Sequence, residues 1–268
     1  MTNDDVPGEI DATTPSPARM YDYYLGGKDN FAADRQAAEK ALSVVPQGRQ
    51  VARANRRFLI RAVRYLARNG ITQFIDLGTG IPTSPNVHEA ARSINPESRV
   101  VYVDNDPMVT VHSRAILGGL NDGIEARYGD IRYPRNIAFD ARIREVIDFG
   151  RPIGVLFVAV LHFVTDAEEP HKSVTVLRDC IAPSSYIAIS HITSEGTPLE
   201  VMTTIQDAYS HAQAPAVFRD RPQISSFFQG LELVKPGLVE VSAWRGNNRK
   251  PPTPQALRFL GGIGRKPA

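Results

Sequence analysis

Residues 74–80 read Phe74-Ile75-Asp76-Leu77-Gly78-Thr79-Gly80, and this stretch decides the fold. An apolar run of strand length passes directly into a Gly-x-Gly turn. Glycine tolerates positive φ and lets a ligand approach backbone that a side chain would block. Ser84-Pro85 follows four residues later. Serine before proline predicts a helix start whose free amides face the crevice and favour an anion. The dinucleotide version of such a turn needs a third glycine, Gly-x-Gly-x-x-Gly. Here that position is Thr83, flanked by Pro82 and Pro85.

Working outward, four more apolar runs follow: Val100 to Val103, Glu125 to Tyr128, Val155 to Ala159 and Ser185 to Ser190. Amphipathic segments long enough for crossover helices separate them, which predicts βαβ units and a parallel sheet. Leu231 to Val234 and Leu238 to Trp244, joined by Lys235-Pro236-Gly237, read as an antiparallel hairpin closing the sheet edge. Ahead of the sheet lie three helical segments. The first starts at Ser16-Pro17 and ends at Gly26-Gly27, the second runs from Phe31 to about Leu42, and the third from about Gln50 to Asn69. The reading is an α/β fold of one domain over residues 16–246. Residues 16–70 form a helical cap and 71–246 the sheet core. An acidic, proline-containing arm of residues 1–15 precedes it, and a Pro/Gly-rich basic tail of residues 247–268 follows it.

Composition bounds the function. A net charge of +2 and 22% charged residues give no global pull towards nucleic acid or anionic membrane. The seven arginines between Arg49 and Arg68 read as the solvated face of an amphipathic helix. A single cysteine, Cys180, excludes an intrachain disulfide and a cysteine zinc cluster. The acidic N-terminus lacks the apolar core of a signal peptide, so the expected location is cytoplasmic. No metal is expected.

The chemistry-bearing residues fall at strand ends. Val100 to Val103 ends in Asp104, 24 residues beyond Gly80. A carboxylate there can accept both ribose hydroxyls of a nucleoside. Asn105 lies beside it, and Asp106-Pro107 reads as a helix cap. The third run ends in Tyr128-Gly129-Asp130-Ile131. Asp130 can accept from an adenine amino group, with Ile131 against the ring. The fourth run ends in Ala159-Val160-Leu161-His162-Phe163, which makes His162 the candidate general base, with His191 a weaker one. Tyr21, Tyr23, Tyr24, Lys28 and Asn30 sit around the Gly26-Gly27 break. They suggest a hinged lid in which Tyr21, Tyr24 and Lys28 touch a cofactor.

Asp76-x-Gly78-x-Gly80, Asp104-x-Asp106-Pro107 and Gly129-Asp130-Ile131 resemble the successive motifs of class I S-adenosylmethionine-dependent methyltransferases. Residues 18–31, ARMYDYYLGGKDNF, are similar to the signature of an actinobacterial methyltransferase family long described as a domain of unknown function. Phe227-Phe228-x-Gly230-x-x-Leu233-Val234-x-Pro236-Gly237 with Trp244 resembles its C-terminal pattern. The resemblance implies a Rossmann-like, mostly parallel seven-stranded sheet and S-adenosyl-L-methionine as cofactor. Its implied contacts are Asp76, Gly78, Gly80, Asp104, Asn105, Asp130 and Ile131. It leaves the acceptor open, and a small molecule methylated at oxygen or nitrogen is expected. A catalytically silent cofactor-binding regulator and an NAD(P)-dependent oxidoreductase are the alternatives.

Overall fold

The computed structural model describes residues 10–117, 123–246 and 256–268. Three helices come first: α1 (Pro17–Leu25), α2 (Ala32–Val44) and α3 (Gly48–Arg68). Then follow β1 (Gln73–Leu77), α4 (Val87–Arg92), β2 (Arg99–Asp104), α5 (Pro107–Leu117), β3 (Ile124–Tyr128), α6 (Pro134–Ala138) and α7 (Ala141–Val146). The chain continues through β4 (Gly154–Val158), α8 (Pro170–Cys180), β5 (Tyr186–Thr193), α9 (Leu199–Ala208) and α10 (Arg221–Ser226). It ends in β6 (Glu232–Leu233), β7 (Val239–Glu240) and β8 (Arg258–Arg265). The sheet order is β3-β2-β1-β4-β5-β8-β6, with β7 also on β8. The first five strands are mutually parallel, and β8 pairs antiparallel with β5, β6 and β7. Among the described residues no helix is long and apolar enough to cross a membrane.

Alternation along each strand sorts the core into two layers. Phe74, Val100, Tyr102, Leu156 and Ala188 face the layer built by α1–α4 and α9. Ile75, Leu77, Val101, Val103, Val155, Phe157 and Ile189 face the layer built by α6–α8. Asp76 follows Phe74 by two residues, and Asp104 follows Tyr102 by two. Both carboxylates therefore emerge on the α1–α3 side, at the carboxyl end of the sheet. Parallel sheets bind ligands at that edge.

Three expectations are corrected. First, Leu231–Val234 and Leu238–Trp244 do not pair as a hairpin; β6 and β7 each pair with β8. Counting these two-residue strands, the sheet has eight strands rather than seven. Second, β8 lies in the segment read as a tail, and it runs beside β5 from Tyr186↔Arg265 to Thr193↔Arg258. Its glycines fit a crowded interior: a Cβ on Gly261 would come 2.9 Å from Val241 and 3.0 Å from Phe58. Residues 247–255 of the expected tail lie outside the described residues.

Third, the N-terminal arm is shorter than expected. Residues 1–9 lie outside the described residues, but the backbone oxygens of Asp11 and Thr14 accept from Arg19 at 3.0 and 2.6 Å. The Pro15 oxygen accepts from the Gln213 amide at 2.9 Å.

The Gly26-Gly27 break is a tied cap, not a loose joint. Gly26 takes φ 92° and ends α1. The Gly27 amide donates to the Asp22 oxygen at 2.9 Å. The Asp22 carboxylate accepts from the Asp29 amide at 3.0 Å and from Asn30 Nδ2 at 2.8 Å. Turning α1 about this point would break all of these bonds.

Candidate functional site

A cavity opens at the carboxyl ends of β1, β2 and β4, with about 1040 Å³ of empty space counting its mouth. Its floor is the predicted glycine turn. Gly78 and Gly80 take φ 66° and 65°. A Cβ on Gly78 would overlap Val160, so the chain after β4 rests directly on this turn. The Gly78 amide donates to the Val103 oxygen at 2.8 Å. The turn feeds a helix later than expected. The cap of α4 is Asn86, in a reciprocal pairing with Glu89, rather than Ser84.

Two buried acids stand at neighbouring strand tips. Asp76 accepts from Thr79 Oγ1 at 2.8 Å. Asp104 accepts from the Gly80 amide at 2.8 Å and from the Asp106 amide at 2.9 Å. Burial, which penalises the ionised form, pushes Asp76 up to about 6 and Asp104 up to about 7. Neither has a cationic partner within salt-bridge distance among the described residues. Asn105 lines the same cavity and is exposed.

Asp106 takes the capping role read from Asp106-Pro107, accepting from the Met108 amide at 2.8 Å. Its other oxygen accepts from Ser16 Oγ at 2.5 Å and Arg19 Nη1 at 3.2 Å. Arg19 also binds Asp34, at 2.9 Å. Ser16 thus turns its hydroxyl to Asp106 rather than capping α1. This buried network fixes the start of α1 over the cavity, where Ser16, Pro17, Ala18 and Tyr21 form part of the wall.

Two polar lining residues on α3 escaped the sequence reading. Asn55 lies on the buried face of α3, four residues after Val51 and four before Leu59. A polar residue on an apolar stripe was the readable signal. Its Nδ2 donates to the Tyr21 hydroxyl at 3.0 Å, and its Oδ1 accepts from Ser190 Oγ at 2.6 Å. Arg56 is one of the seven arginines expected on a solvated face. Arg53, Arg57, Arg64 and Arg68 are exposed. Arg49 and Arg61 bind backbone oxygens elsewhere. Arg56 reaches this cavity, donating Nη2 to the Pro85 oxygen at 2.8 Å and also to the Thr83 oxygen. Its Nε is buried without a hydrogen-bond partner among the described residues.

Asp130 and Ile131 line the cavity as expected. Asp130 already carries Arg132, with Nε at 2.9 Å and Nη2 at 2.5 Å. After β4, Ala159 takes φ 60°, a strained value for a residue with a Cβ. Its amide is held by Ser190 Oγ at 3.0 Å.

The remaining expected residues are not all brought here. Tyr21 lines this cavity, its hydroxyl donating to the Ala52 oxygen at 2.9 Å. Tyr24 and His162 line a second cavity instead. Lys28 is exposed and lines neither, so it is not a contact of the cavity. Tyr23 stacks beneath Arg49 at 4.5 Å. His191 is structural. Arg219 Nη1 donates to its Nε2 at 2.8 Å, which leaves Nδ1 to donate to the Ile192 oxygen at 2.6 Å. Among the described residues no group of three or more His, Cys, Asp or Glu side chains could hold a metal ion.

Known proteins place this arrangement. A crystal structure of a Thermobifida fusca protein, provisionally named a methyltransferase, is 38% identical, with a TM-score of 0.90 over 98% of this chain and 99% of that one. A DUF574 family protein from Streptomyces avermitilis is also 38% identical, with a TM-score of 0.91 over 97% of this chain and 100% of that one. An O-methyltransferase family protein from Burkholderia thailandensis shares the fold alone, at 13% identity and a TM-score of 0.51 over 92% of this chain and 64% of that one. None of the curated proteins compared with the chain matches it. The family described as S-adenosyl methyltransferase matches residues 3–267. With that match over almost its whole length, and with two acids and a glycine turn at the sheet edge, the chain belongs to the S-adenosyl methyltransferase family.

Proposed function

We propose that the cavity above Gly78 and Gly80 holds S-adenosyl-L-methionine and that the chain directs its methyl group to an oxygen or nitrogen of a small molecule. The observation that carries this is a set of buried groups whose pairing within the protein is incomplete. Asp104 has two oxygens, each with one amide donor and room for a ribose hydroxyl. Asp76 offers a carboxylate to an ammonium, and the unpartnered Arg56 Nε offers a donor to a carboxylate. Together they suit both charges of an amino-acid end. Ile131 supplies an apolar surface for a base. When bound, the cofactor supplies an electrophilic methyl carbon on a cationic sulfonium.

Enclosure favours a small acceptor. The start of α1 and the segment at Gln213 and Ala214 close over the cavity, and the bond between Pro15 and Gln213 ties them together. A polymer would have to pass this closure to reach the interior. Most of the catalysis expected of such a site is positioning of two partners, which a rigid wall supplies.

The test is transfer from methyl-labelled S-adenosylmethionine in a cell extract split by size. Label in the low-mass fraction supports the reading. Label confined to protein or nucleic acid overturns it.

A further inference from the structure

A second cavity, about 580 Å³ counting its mouth, lies beside the first. Tyr21 and Phe163 line both. Its walls come from α1, α2, α3, α9, β5 and β8, and among the described residues no Asp, Glu, Lys or Arg lines it. Where the first cavity is ringed by carboxylates and two arginines, this one is aliphatic and aromatic: Leu42, Val51, Ile205, Phe163 and Phe259 are typical of it.

Polar side chains interrupt that lining. His162 is 3% exposed, and its Nδ1 has no hydrogen-bond partner among the described residues. The hydroxyls of half-buried Tyr24 and buried Tyr209 have, among the described residues, only each other, at 3.4 Å. Leaving a buried polar atom unpaired is costly, so such an atom in a side chain that lines a cavity points to a partner that is supplied from outside. The surroundings also set the charge of His162. Burial first, then His191 and Arg219, hold its imidazole well below the usual histidine range, so the ring is neutral. Phe163, His191 and Phe259 pack around it with ring centroids 4.3, 5.4 and 5.5 Å away.

We infer that this chamber is the acceptor site and that it takes a neutral, largely apolar, ring-sized molecule whose one polar group meets His162 and the Tyr24–Tyr209 pair. This rests on reading the first cavity as the cofactor cleft. The Tyr21–Phe163 wall is where the two ligands would meet. Exclusion of charge follows from the lining. A carboxylate, phosphate or ammonium would lose its hydration and find no counter-ion. A hydroxyl would find the groups left unpaired.

The experiment is calorimetric titration of 2-naphthol, naphthalene and 2-naphthoate into the protein, with and without saturating S-adenosylhomocysteine. Expected results are saturable binding of 2-naphthol, with naphthalene and 2-naphthoate each at least tenfold weaker. Ala41→Phe, which fills the chamber from α2, should weaken 2-naphthol at least tenfold and leave S-adenosylhomocysteine affinity within twofold. His162→Phe should erase most of the preference for 2-naphthol over naphthalene. No 2-naphthol binding, equal binding of the naphthoate anion, or indifference to Ala41→Phe would overturn the inference. Should Ala41→Phe fail to fold by near-ultraviolet circular dichroism, the naphthol-to-naphthalene ratio in His162→Phe decides alone. If S-adenosylhomocysteine itself does not bind, the cofactor reading falls. The chamber is then still judged by the titrations without it.

Discussion

Two buried charge clusters stand two residues apart at the end of β2. They differ in one respect. The cluster around Asp106 is closed. Arg19 bridges Asp34 and Asp106 at 2.9 and 3.2 Å, Ser16 adds its hydroxyl, and backbone amides cover the remaining oxygens. The cluster around Asp104 is open. Among the described residues Asp76 and Asp104 have no cation within salt-bridge distance, burial favours their protonated forms, and Arg56 keeps a buried nitrogen unused. A closed network fixes structure. An open one is costly in the free protein and becomes favourable only when a ligand completes it. The first should therefore respond to mutation in stability, the second in binding.

The largest effect expected is on the closed cluster. Arg19→Met leaves the carboxylates of Asp34 and Asp106 buried without their cation. Breaking such a pair costs roughly 3–5 kcal/mol, or about 10 °C in Tm for a chain of this size. Thermal scans with and without S-adenosylhomocysteine check this. An unchanged Tm would erase the distinction between the clusters. By the same logic, deleting residues 1–31 should destabilise the whole fold rather than free a lid, because Met20 and Arg19 are fully buried.

Next comes Asp104→Ala. Losing a charge-assisted hydrogen bond is worth about 1.5–3 kcal/mol, so S-adenosylhomocysteine affinity should fall at least tenfold, with a smaller loss of Tm in the free protein than Arg19→Met causes. Arg56→Met sharpens the assignment within the cleft. It should weaken S-adenosylhomocysteine about tenfold and leave adenosine, which has no carboxylate, within twofold. Equal losses for both ligands would move Arg56 away from the amino-acid end.

The smallest effect is a pH dependence. Asp76 sits at about 6 in the fold against 3.8 for an ordinary aspartate. The folded state holds that proton more tightly, so its stabilising contribution is full below pH 3.8 and is lost as pH rises through 6. The Tm of Asp76→Asn relative to the natural protein should therefore rise between pH 4.5 and 6.5 and then level off. A flat difference would mean that Asp76 is not a buried, unpaired acid.

The sheet was legible where side chains carry the pattern. The five parallel strands follow their apolar runs, and β1 leads directly into the glycine turn as read. Sequence pattern failed at β8, where the interior is so close that glycine replaces the apolar side chains that usually mark a strand. It failed again at Arg56, because seven arginines on one helix look alike and only the fold turns one of them into the cleft. His162 shows a subtler limit. It lies just past the end of β4, as read, but the 3-10 turn Leu161–Phe163 directs it to the neighbouring chamber. The acids at strand tips were readable because strand alternation alone fixes the face on which they emerge.

The most direct measurement is a calorimetric titration of the free protein with S-adenosylhomocysteine, set against NAD. Saturable one-to-one binding of S-adenosylhomocysteine, lost in Asp104→Ala, with no heat from NAD, is the result this open cluster predicts. Binding of NAD in its place, or S-adenosylhomocysteine binding that ignores Asp104, would contradict it.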